Sequence, residues 1–555
     1  MRSYLAAFRI GGISGIVVGL AAGIPGWTWD WPRLGLMRIG KSVAIAWLIA
    51  VLLSLALGRL LARRPASPRA SRPAPWRRAA GAALTALALV PAALWLGLAL
   101  PGGHLREAMA AGRRKGDRRP NLVLITIDAL RADYVGAYGS ADGLTPNIDS
   151  FAAEATRYGA AYASSPWTLT SFCALLTSRR PSFCGMKTAD AELRDWYMSE
   201  ARLREDVPVL AEQLRRSGYA TAAVLTNPFL AQERGFKRGF EDFRNEDGDE
   251  IGSVLTPASA VTGQTSRWLR LNGREPFFLW VHYLDPHVPY RPPDMPAELR
   301  AEYPPSWITA RAYWYQVMQK SDPETRARYQ EFCRKVYAEE VRYVDQWFGE
   351  LLAQLREADW YESSLVVVTS DHGEELFDHD GFEHGHGMHE ELLRVPLLVK
   401  WPTAAEADEQ VSQTVGLVDL APTFLGFAGA PPMPGMEGAA LPRREGLAGA
   451  EVYSEGLLYG PDQTALTGDD YKVIYHPHAE SGERHFEVYD RRSDREERHD
   501  LAGTEAASDL RGRLEELTDE SRVAASQVTG TGKAEFRNMI LTEEKKRRLR
   551  ALGYL

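Results

Sequence analysis

The chain has 555 residues, 45% of them hydrophobic, and a formal net charge of -8. That length exceeds one ordinary core, and the hydrophobic share excludes a disordered chain. The acidic balance argues against a nucleic-acid partner, and three cysteines, Cys173, Cys184 and Cys333, do not make a disulfide framework.

The N-terminal stretch differs from the rest. Ser42 to Gly58 carries no charge between Lys41 and Arg59, and Ala79 to Gly103 carries none either. The second run is long enough to cross ~30 Å of hydrocarbon. Ile10 to Trp27 is a weaker, Gly-rich candidate. Residues 1–105 therefore read as a membrane region with two or three transmembrane helices. A cleaved signal peptide fits poorly, because the apolar runs repeat and a long Arg-rich loop separates them. That loop holds Arg63, Arg64, Arg69, Arg72, Arg77 and Arg78, and the positive-inside tendency places it in the cytoplasm. Three spans would put the following domain outside, although Arg113, Arg114, Lys115, Arg118 and Arg119 then lie on the outer side. The expected location is the cell membrane, multi-pass, with the catalytic domain outside the cytoplasm.

Residues 106–119 read as a basic linker, and a globular part begins near Pro120. Asn121-Leu122-Val123-Leu124-Ile125-Thr126-Ile127-Asp128 is an apolar, β-branched run that ends in an acid, the pattern of a buried strand. Leu169 to Leu176 reads as a helix. Cys173 and Cys184 are two buried thiols or, in an oxidising compartment, a pair. Val207 to Ser217 reads as a helix and Thr221 to Leu225 as the next strand. Phe277-Phe278-Leu279-Trp280-Val281-His282 is another apolar run, leading into Asp285-Pro286-His287. Pro292 to Arg326 has no clear period and reads as a lid or substrate insertion. Tyr337 to Ala358 carries the apolar stripe Val341, Val344, Phe348, Leu351 and Leu355 of an amphipathic helix. It feeds Leu365-Val366-Val367-Val368-Thr369, a third strand, closed by Ser370-Asp371-His372-Gly373-Glu374-Glu375. Alternation of strands and helices argues for a mostly parallel sheet with helices on both faces. After Pro402 the pattern loosens, and Val452-Tyr453, Tyr471 to Tyr475 and His485 to Tyr489 read as short strands.

Three strand-like segments thus deliver Asp or His at their carboxyl ends, where open α/β sheets place ligands. Carboxylate oxygens and imidazole nitrogens suit a divalent ion. Asp128, Asp371 and His372 are the candidate metal ligands.

The same segments resemble the sulfatase family of the alkaline phosphatase superfamily. The likeness covers Pro120 to Glu154, Ala163 to Pro181, Pro208 to Phe243, Phe277 to Pro293, Tyr337 to Pro402 and Glu451 to Leu501. It implies an α/β, alkaline phosphatase-like fold with a small C-terminal antiparallel subdomain, divided as a catalytic domain over 120–430 and a subdomain with tail over 431–555. In that family a Cys or Ser opening the pattern C/S-x-P-x-R becomes formylglycine, a fixed distance before Leu-Leu-Thr-Gly. Here Leu175-Leu176-Thr177-Ser178 marks the second segment, and counting back puts Thr168 at the modified position. The Cys, Pro and Arg are missing, so conversion to formylglycine is not expected. Thr-dependent relatives, phosphoethanolamine transferases and phosphodiesterases, place a threonine there. Thr168 is accordingly expected as a metal-bound nucleophile, with a bare helix cap as the bland alternative.

The resemblance further implies that His287, in the Pro-His-x-Pro pattern, and His386 stabilise charge or protonate the leaving group. His282 and Asp285 are expected to support the substrate region. Two departures stand out. Thr226-Asn227-Pro228 replaces a lysine-bearing segment that helps bind sulfate, and Ala129 stands where many relatives have a second metal-binding Asp. The expected cofactor is one divalent ion, Ca, Mg, Mn or Zn, with a second left open. The expected activity is cleavage of sulfate or phosphate esters. Formylglycine hydrate releases sulfate by collapsing to the aldehyde, an exit that a threonine sulfate lacks, so a phospho- or phosphonoester suits Thr168 better. Two alternatives are kept: a phosphoethanolamine- or phosphoglycerol-type transferase acting on envelope glycans or lipids, and an inactive binding or scaffold member of the fold.

Overall fold

The structure, a computed structural model, describes residues 119–187, 201–245, 256–272, 276–402, 410–442, 451–477 and 485–529. All of these belong to one unit, Gly116–Leu555. The expected membrane helices of 1–105 lie outside the described residues. Among the described residues, no helix is long and apolar enough to cross a membrane.

Strand β1 (Asn121–Ile127) is buried at every position. Side chains alternate across a strand, so Leu122 and Leu124 enter one core while Val123, Ile125 and Ile127 enter another. A strand covered on both faces has no solvent side to keep polar, which is why its sequence is an apolar run. The chain continues through α1 (Pro146–Ala152), β2 (Thr156–Tyr158), β3 (Ala161–Tyr162) and α2 (Thr168–Thr177). Next come α3 (Leu210–Arg216), β4 (Ala220–Leu225), β5 (Asp242–Asn245), α4 (Ala258–Asn272) and β6 (Phe277–Tyr283). The expected insertion contributes α5 (Ala297–Glu302) and α6 (Arg311–Gln316), and then runs into α7 (Pro323–Glu357). That helix starts well before the expected Tyr337, because Asp322 caps it by accepting the Thr325 amide and Pro323 opens its first turn.

Strand β7 (Ser364–Ser370) follows, then the short strands β8 (Glu375–Leu376) and β9 (Phe382–Glu383), helix α8 (Glu390–Leu393) and β10 (Arg394–Val395). Strands β11 (Leu397–Lys400), β12 (Gln410–Val411) and β13 (Val415–Gly416) lead to α9 (Leu420–Ala428). The main sheet has eight strands in the order β12-β2-β11-β7-β1-β6-β4-β5. Its centre is parallel: β1 pairs β6 and β7, and β4 pairs β5 and β6, whereas β11 runs antiparallel to β7 and β2. Residues of α2, α3 and α9 pack on one face of the sheet, and residues of α4 and α7 on the other. The expected mixed α/β fold with a mostly parallel sheet is present.

The C-terminal part forms an antiparallel sheet of β14 (Val452–Ser454), β15 (Thr464–Thr467), β16 (Tyr471–His476) and β17 (His485–Asp490). Helix α10 (Ser508–Thr529) packs Leu514 against Leu466, Val473 and Val488 of that sheet. Cys173 and Cys184 are both buried free thiols.

Candidate active site

Parallel pairing in register aligns the carboxyl ends of β1 and β7, with Ile127 opposite Ser370. The next residue of each strand is therefore Asp128 and Asp371, side by side. The backbone after β1 turns sharply, with Ala129 at φ 55, a left-handed conformation costing a β-carbon-bearing residue about 1–2 kcal/mol. Three contacts hold it there. Its amide donates to Asp371 Oδ1 at 3.3 Å, the Tyr337 hydroxyl donates to its carbonyl at 2.7 Å, and the Leu130 amide donates to Ser370 Oγ at 3.0 Å.

Asp128, Asp371 and His372 are fully buried and bring one ligand atom each within 4.8 Å of one another. Each carboxylate has one oxygen occupied and one left without a hydrogen bond. Asp128 Oδ2 accepts from Asn227 Nδ2 at 2.8 Å and from His282 Nε2 at 3.2 Å. Asp371 Oδ1 accepts the Ala129 amide. Asp128 Oδ1 and Asp371 Oδ2 have no partner. Both point at His372 Nε2, at 3.6 and 3.4 Å. His372 Nδ1 is 2.7 Å from the Gly373 carbonyl oxygen, an acceptor, so the ring proton sits on Nδ1 and Nε2 carries a lone pair. One ring nitrogen and two carboxylate oxygens turned toward one another make a donor set for a cation. The residues thus fit a divalent ion. The titration tendencies agree. Burial, and then the Asp128 charge, push the Asp371 carboxyl well above the usual range. Burial also opposes the charge on Asp128, but that carboxyl is held low, with the His282 hydrogen bond among the causes.

Thr168 is the first residue of α2, and its Oγ1 lies 3.3 Å from His372 Nε2. The hydroxyl makes no capping bond to its own helix. The helix is tied to the metal strand through Ser171 Oγ, which donates to the Asp371 carbonyl at 2.6 Å. Thr168, Asp128, Asp371 and His372 therefore converge.

His287 is buried, with Nδ1 bonded to the Val288 carbonyl. Burial pushes its imidazole down to about 4, which keeps it neutral at neutral pH. His282 lies beneath the metal group: its Nδ1 is 3.0 Å from Thr126 Oγ1, and its Nε2 proton goes to Asp128. Its contact is with Asp128. Asp285 makes contacts of another kind. Its carboxylate accepts the Ala258 amide at 2.9 Å and faces the buried Glu340 carboxyl, so it holds the start of α4. His386 is held by two neighbours. Its Nε2 pairs with Glu375 Oε2 at 2.6 Å, and its Nδ1 lies 3.2 Å from Arg311 Nη1.

The histidine that reaches the group from this loop is His384, whose ring lies 4.4 Å from His372 and 4.8 Å from His287. Gly385, at φ 79, reverses the chain between the two, so His384 and His386 go separate ways. His384 Nδ1 donates to Glu374 Oε1 at 2.9 Å, and the Tyr290 hydroxyl donates to Glu374 Oε2 at 3.0 Å. Burial pushes Glu374 up to about 7. His384, Glu374, Tyr290 and Asn227 were not anticipated. The signal for Asn227 was the polar break after strand β4.

A family profile described as Sulfatase matches residues 120–430, and one described as N-sulphoglucosamine sulphohydrolase, C-terminal, matches residues 378–524. The chain is similar to the uncharacterized sulfatase YidJ of Escherichia coli (strain K12), 24% identical over 452 residues, with 72% of this chain and 86% of that protein covered. It is similar to an N-acetylglucosamine-6-O-sulfatase of Bacteroides thetaiotaomicron, 23% identical over 518 residues, covering 77% of this chain and 90% of that protein. Among solved structures, the phosphonate monoester hydrolase SpPMH from Silicibacter pomeroyi aligns with a TM-score of 0.56 at 18% identity, covering 73% of this chain and 95% of that one. At that identity the likeness speaks to the fold.

Proposed function

The chain belongs to the sulfatase family of ester hydrolases, and from that premise we propose that it is a membrane-anchored, metal-dependent hydrolase that uses Thr168 as nucleophile. The observation that carries this reading is the convergence of two unpartnered buried carboxylate oxygens, the His372 Nε2 lone pair and the Thr168 hydroxyl. Asp128, Asp371 and His372 would hold the divalent ion, which supplies positive charge to lower the hydroxyl pKa and to draw in an anionic ester.

The residues then divide the work. Thr168 Oγ1 gives up its proton to His287 and forms a bond to the central atom of the ester, while the bond to the alcohol oxygen breaks. The α2 amino terminus presents backbone N–H groups to the anion. His287, neutral at neutral pH, passes the proton taken from Thr168 on to the departing alcohol oxygen. Water then attacks the same central atom, releases the acid and returns the proton to Thr168.

Phosphorus accepts that second attack more readily than a sulfate ester of threonine, which has no aldehyde to collapse to. A phosphate or phosphonate ester is the substrate class proposed, carried on an envelope glycan or lipid. Residues 1–105 anchor the protein in the cell membrane, with the catalytic domain outside the cytoplasm.

The test is a panel of aryl sulfate, phosphate monoester, phosphodiester and phosphonate ester with Mg, Ca, Mn and Zn, run on the full-length protein. Divalent-dependent cleavage of a phosphorus ester is the expected result. A product attached to an added alcohol instead of water would recast the protein as a transferase. Failure of every ester with every metal would remove the hydrolase reading.

A further inference from the structure

Away from the candidate active site, histidines and glutamates gather where the loop over 379–391 meets the C-terminal sheet. His476 at the end of β16 and His485 at the start of β17 are directly opposed across the antiparallel ladder, with ring centres 5.2 Å apart. Glu487, two residues along β17, projects from the same face. Ligand atoms of these three residues lie within 4.8 Å of one another. Glu487 is flanked on both sides: Oε1 lies 2.7 Å from His476 Nε2, and Oε2 lies 3.1 Å from His389 Nε2. The Tyr489 hydroxyl also donates to Oε2, at 2.7 Å.

We propose that His476, His485 and Glu487, joined by His389 from the facing loop, form a second metal site that takes a zinc-class ion. Three imidazoles and one carboxylate make a nitrogen-rich, four-coordinate set. That composition suits zinc and its late first-row neighbours and does not suit Mg or Ca. It contrasts with the two carboxylates and one imidazole of Asp128, Asp371 and His372. Zinc bonds of roughly 2.0–2.2 Å to nitrogen and oxygen require the donors to draw closer. His485 is exposed and His476, Glu487 and His389 are partly exposed, so side-chain rotation can supply the movement.

A plain ion-pair latch accounts for Glu487 between His476 and His389. It leaves His485 without a role. The neighbouring group of His379, His389 and Glu391 is a poorer candidate. His379 Nδ1 pairs with Glu391 Oε1 at 2.9 Å and Nε2 with the Glu497 carbonyl at 3.2 Å. Both partners are acceptors, so both nitrogens carry protons and neither offers a lone pair. An ion on Glu487 would fasten the β16–β17 hairpin to the loop that begins just before His384 and ends at the first turn of α8.

The test uses full-length protein stripped by chelator and carrying Asp371→Asn, which disables the other metal group. Zinc is titrated by calorimetry, before and after adding His485→Ala. The proposal expects about one zinc per chain in the first protein and at least ~10-fold weaker binding in the second. With Asp371 intact, zinc should raise the melting temperature of the parent and raise it measurably less in His485→Ala. A four-coordinate cobalt(II) absorption band present in the Asp371→Asn protein and lost with His485→Ala would support the same assignment. Zinc binding that is absent from the Asp371→Asn protein while its fold is intact, or unchanged by His485→Ala, would overturn it. Because His485 is exposed, its removal does not threaten the fold.

Discussion

Thr168 carries a hydroxyl with no capping duty and a single close polar neighbour, His372 Nε2. Removing it should therefore remove chemistry and leave structure alone. Thr168→Ala is expected to lower ester turnover by roughly 10⁴-fold or more, the scale seen when an enzyme loses its nucleophile, at an unchanged melting temperature. Thr168→Ser keeps the oxygen and should keep most of the turnover. Equal activity in Thr168→Ala and the parent would dismiss the threonine. Asp371 gives a prediction of opposite sign for stability. Its carboxyl is pushed up by burial and by Asp128, so the folded, metal-free protein disfavours its charged form. Asp371→Asn keeps the acceptor for the Ala129 amide and discards that charge. The variant should melt at a higher temperature than the metal-free parent, yet lose at least ~10-fold in metal affinity at the active site. Asp128, Asp371 and His372 were legible in the sequence because each follows an unmistakable apolar strand. His384 was not, because the direction of a side chain in a loop depends on one left-handed glycine, and no periodicity reports it.

At the level of elements, the site depends on how tightly the end of β7 is folded against α8. The Gly373 amide donates to the Leu392 carbonyl at 2.9 Å, and the Glu374 amide to the Glu391 carbonyl at 3.0 Å. A β-carbon on Gly373 would overlap the Glu391 carbonyl oxygen, which is backbone and cannot swing aside. Gly373→Ala should cost about 1–3 kcal/mol or more and displace His372, so metal affinity and melting temperature should fall together. The loop after β7 is anchored a second time by Arg131, which binds Asp378 through two nitrogens at 2.6 and 3.1 Å. Burial raises the Asp378 carboxyl, but Arg131 more than offsets this and the carboxyl stays below its ordinary value. A depressed carboxyl stabilises the fold above the unfolded value of ~3.9 and loses that contribution as pH falls through the folded one. Asp378→Asn should thus cost about 2 kcal/mol near pH 7, and the difference should shrink steadily below pH ~4. Melting curves of both proteins across that range check the sign. The long strands β1, β6 and β7 and the rear half of α7 were readable from period alone. The short strands β2, β3 and β8 to β13, two to four residues each, were not, since so short a segment shows no period. The front half of α7 was hidden by the aromatic insertion before it, against which Tyr329 packs through Trp307 and Trp314.

For the whole molecule, the proposal joins an ester-cleaving unit to a stretch of sequence with a different physical character. The apolar runs Ser42 to Gly58 and Ala79 to Gly103 are free of charge, whereas among the described residues no helix has that composition over the length of a bilayer. Two such solvents in one chain argue for an enzyme that works at a surface on substrates presented there. In the proposed topology the Arg-rich loop would set the orientation and would leave the unit after Lys115 outside. This makes a definite expectation for fractionation. The full-length chain should sediment with membranes and stay there through alkaline carbonate, which strips proteins held only by charge. Protease added to intact cells should cut the large domain while sparing the Arg-rich loop. Cleavage only after the cells are opened would reverse the orientation and, with it, the case for an envelope glycan or lipid as substrate. Release by carbonate would remove the anchor altogether, while leaving untouched the chemistry argued from Asp128, Asp371, His372 and Thr168.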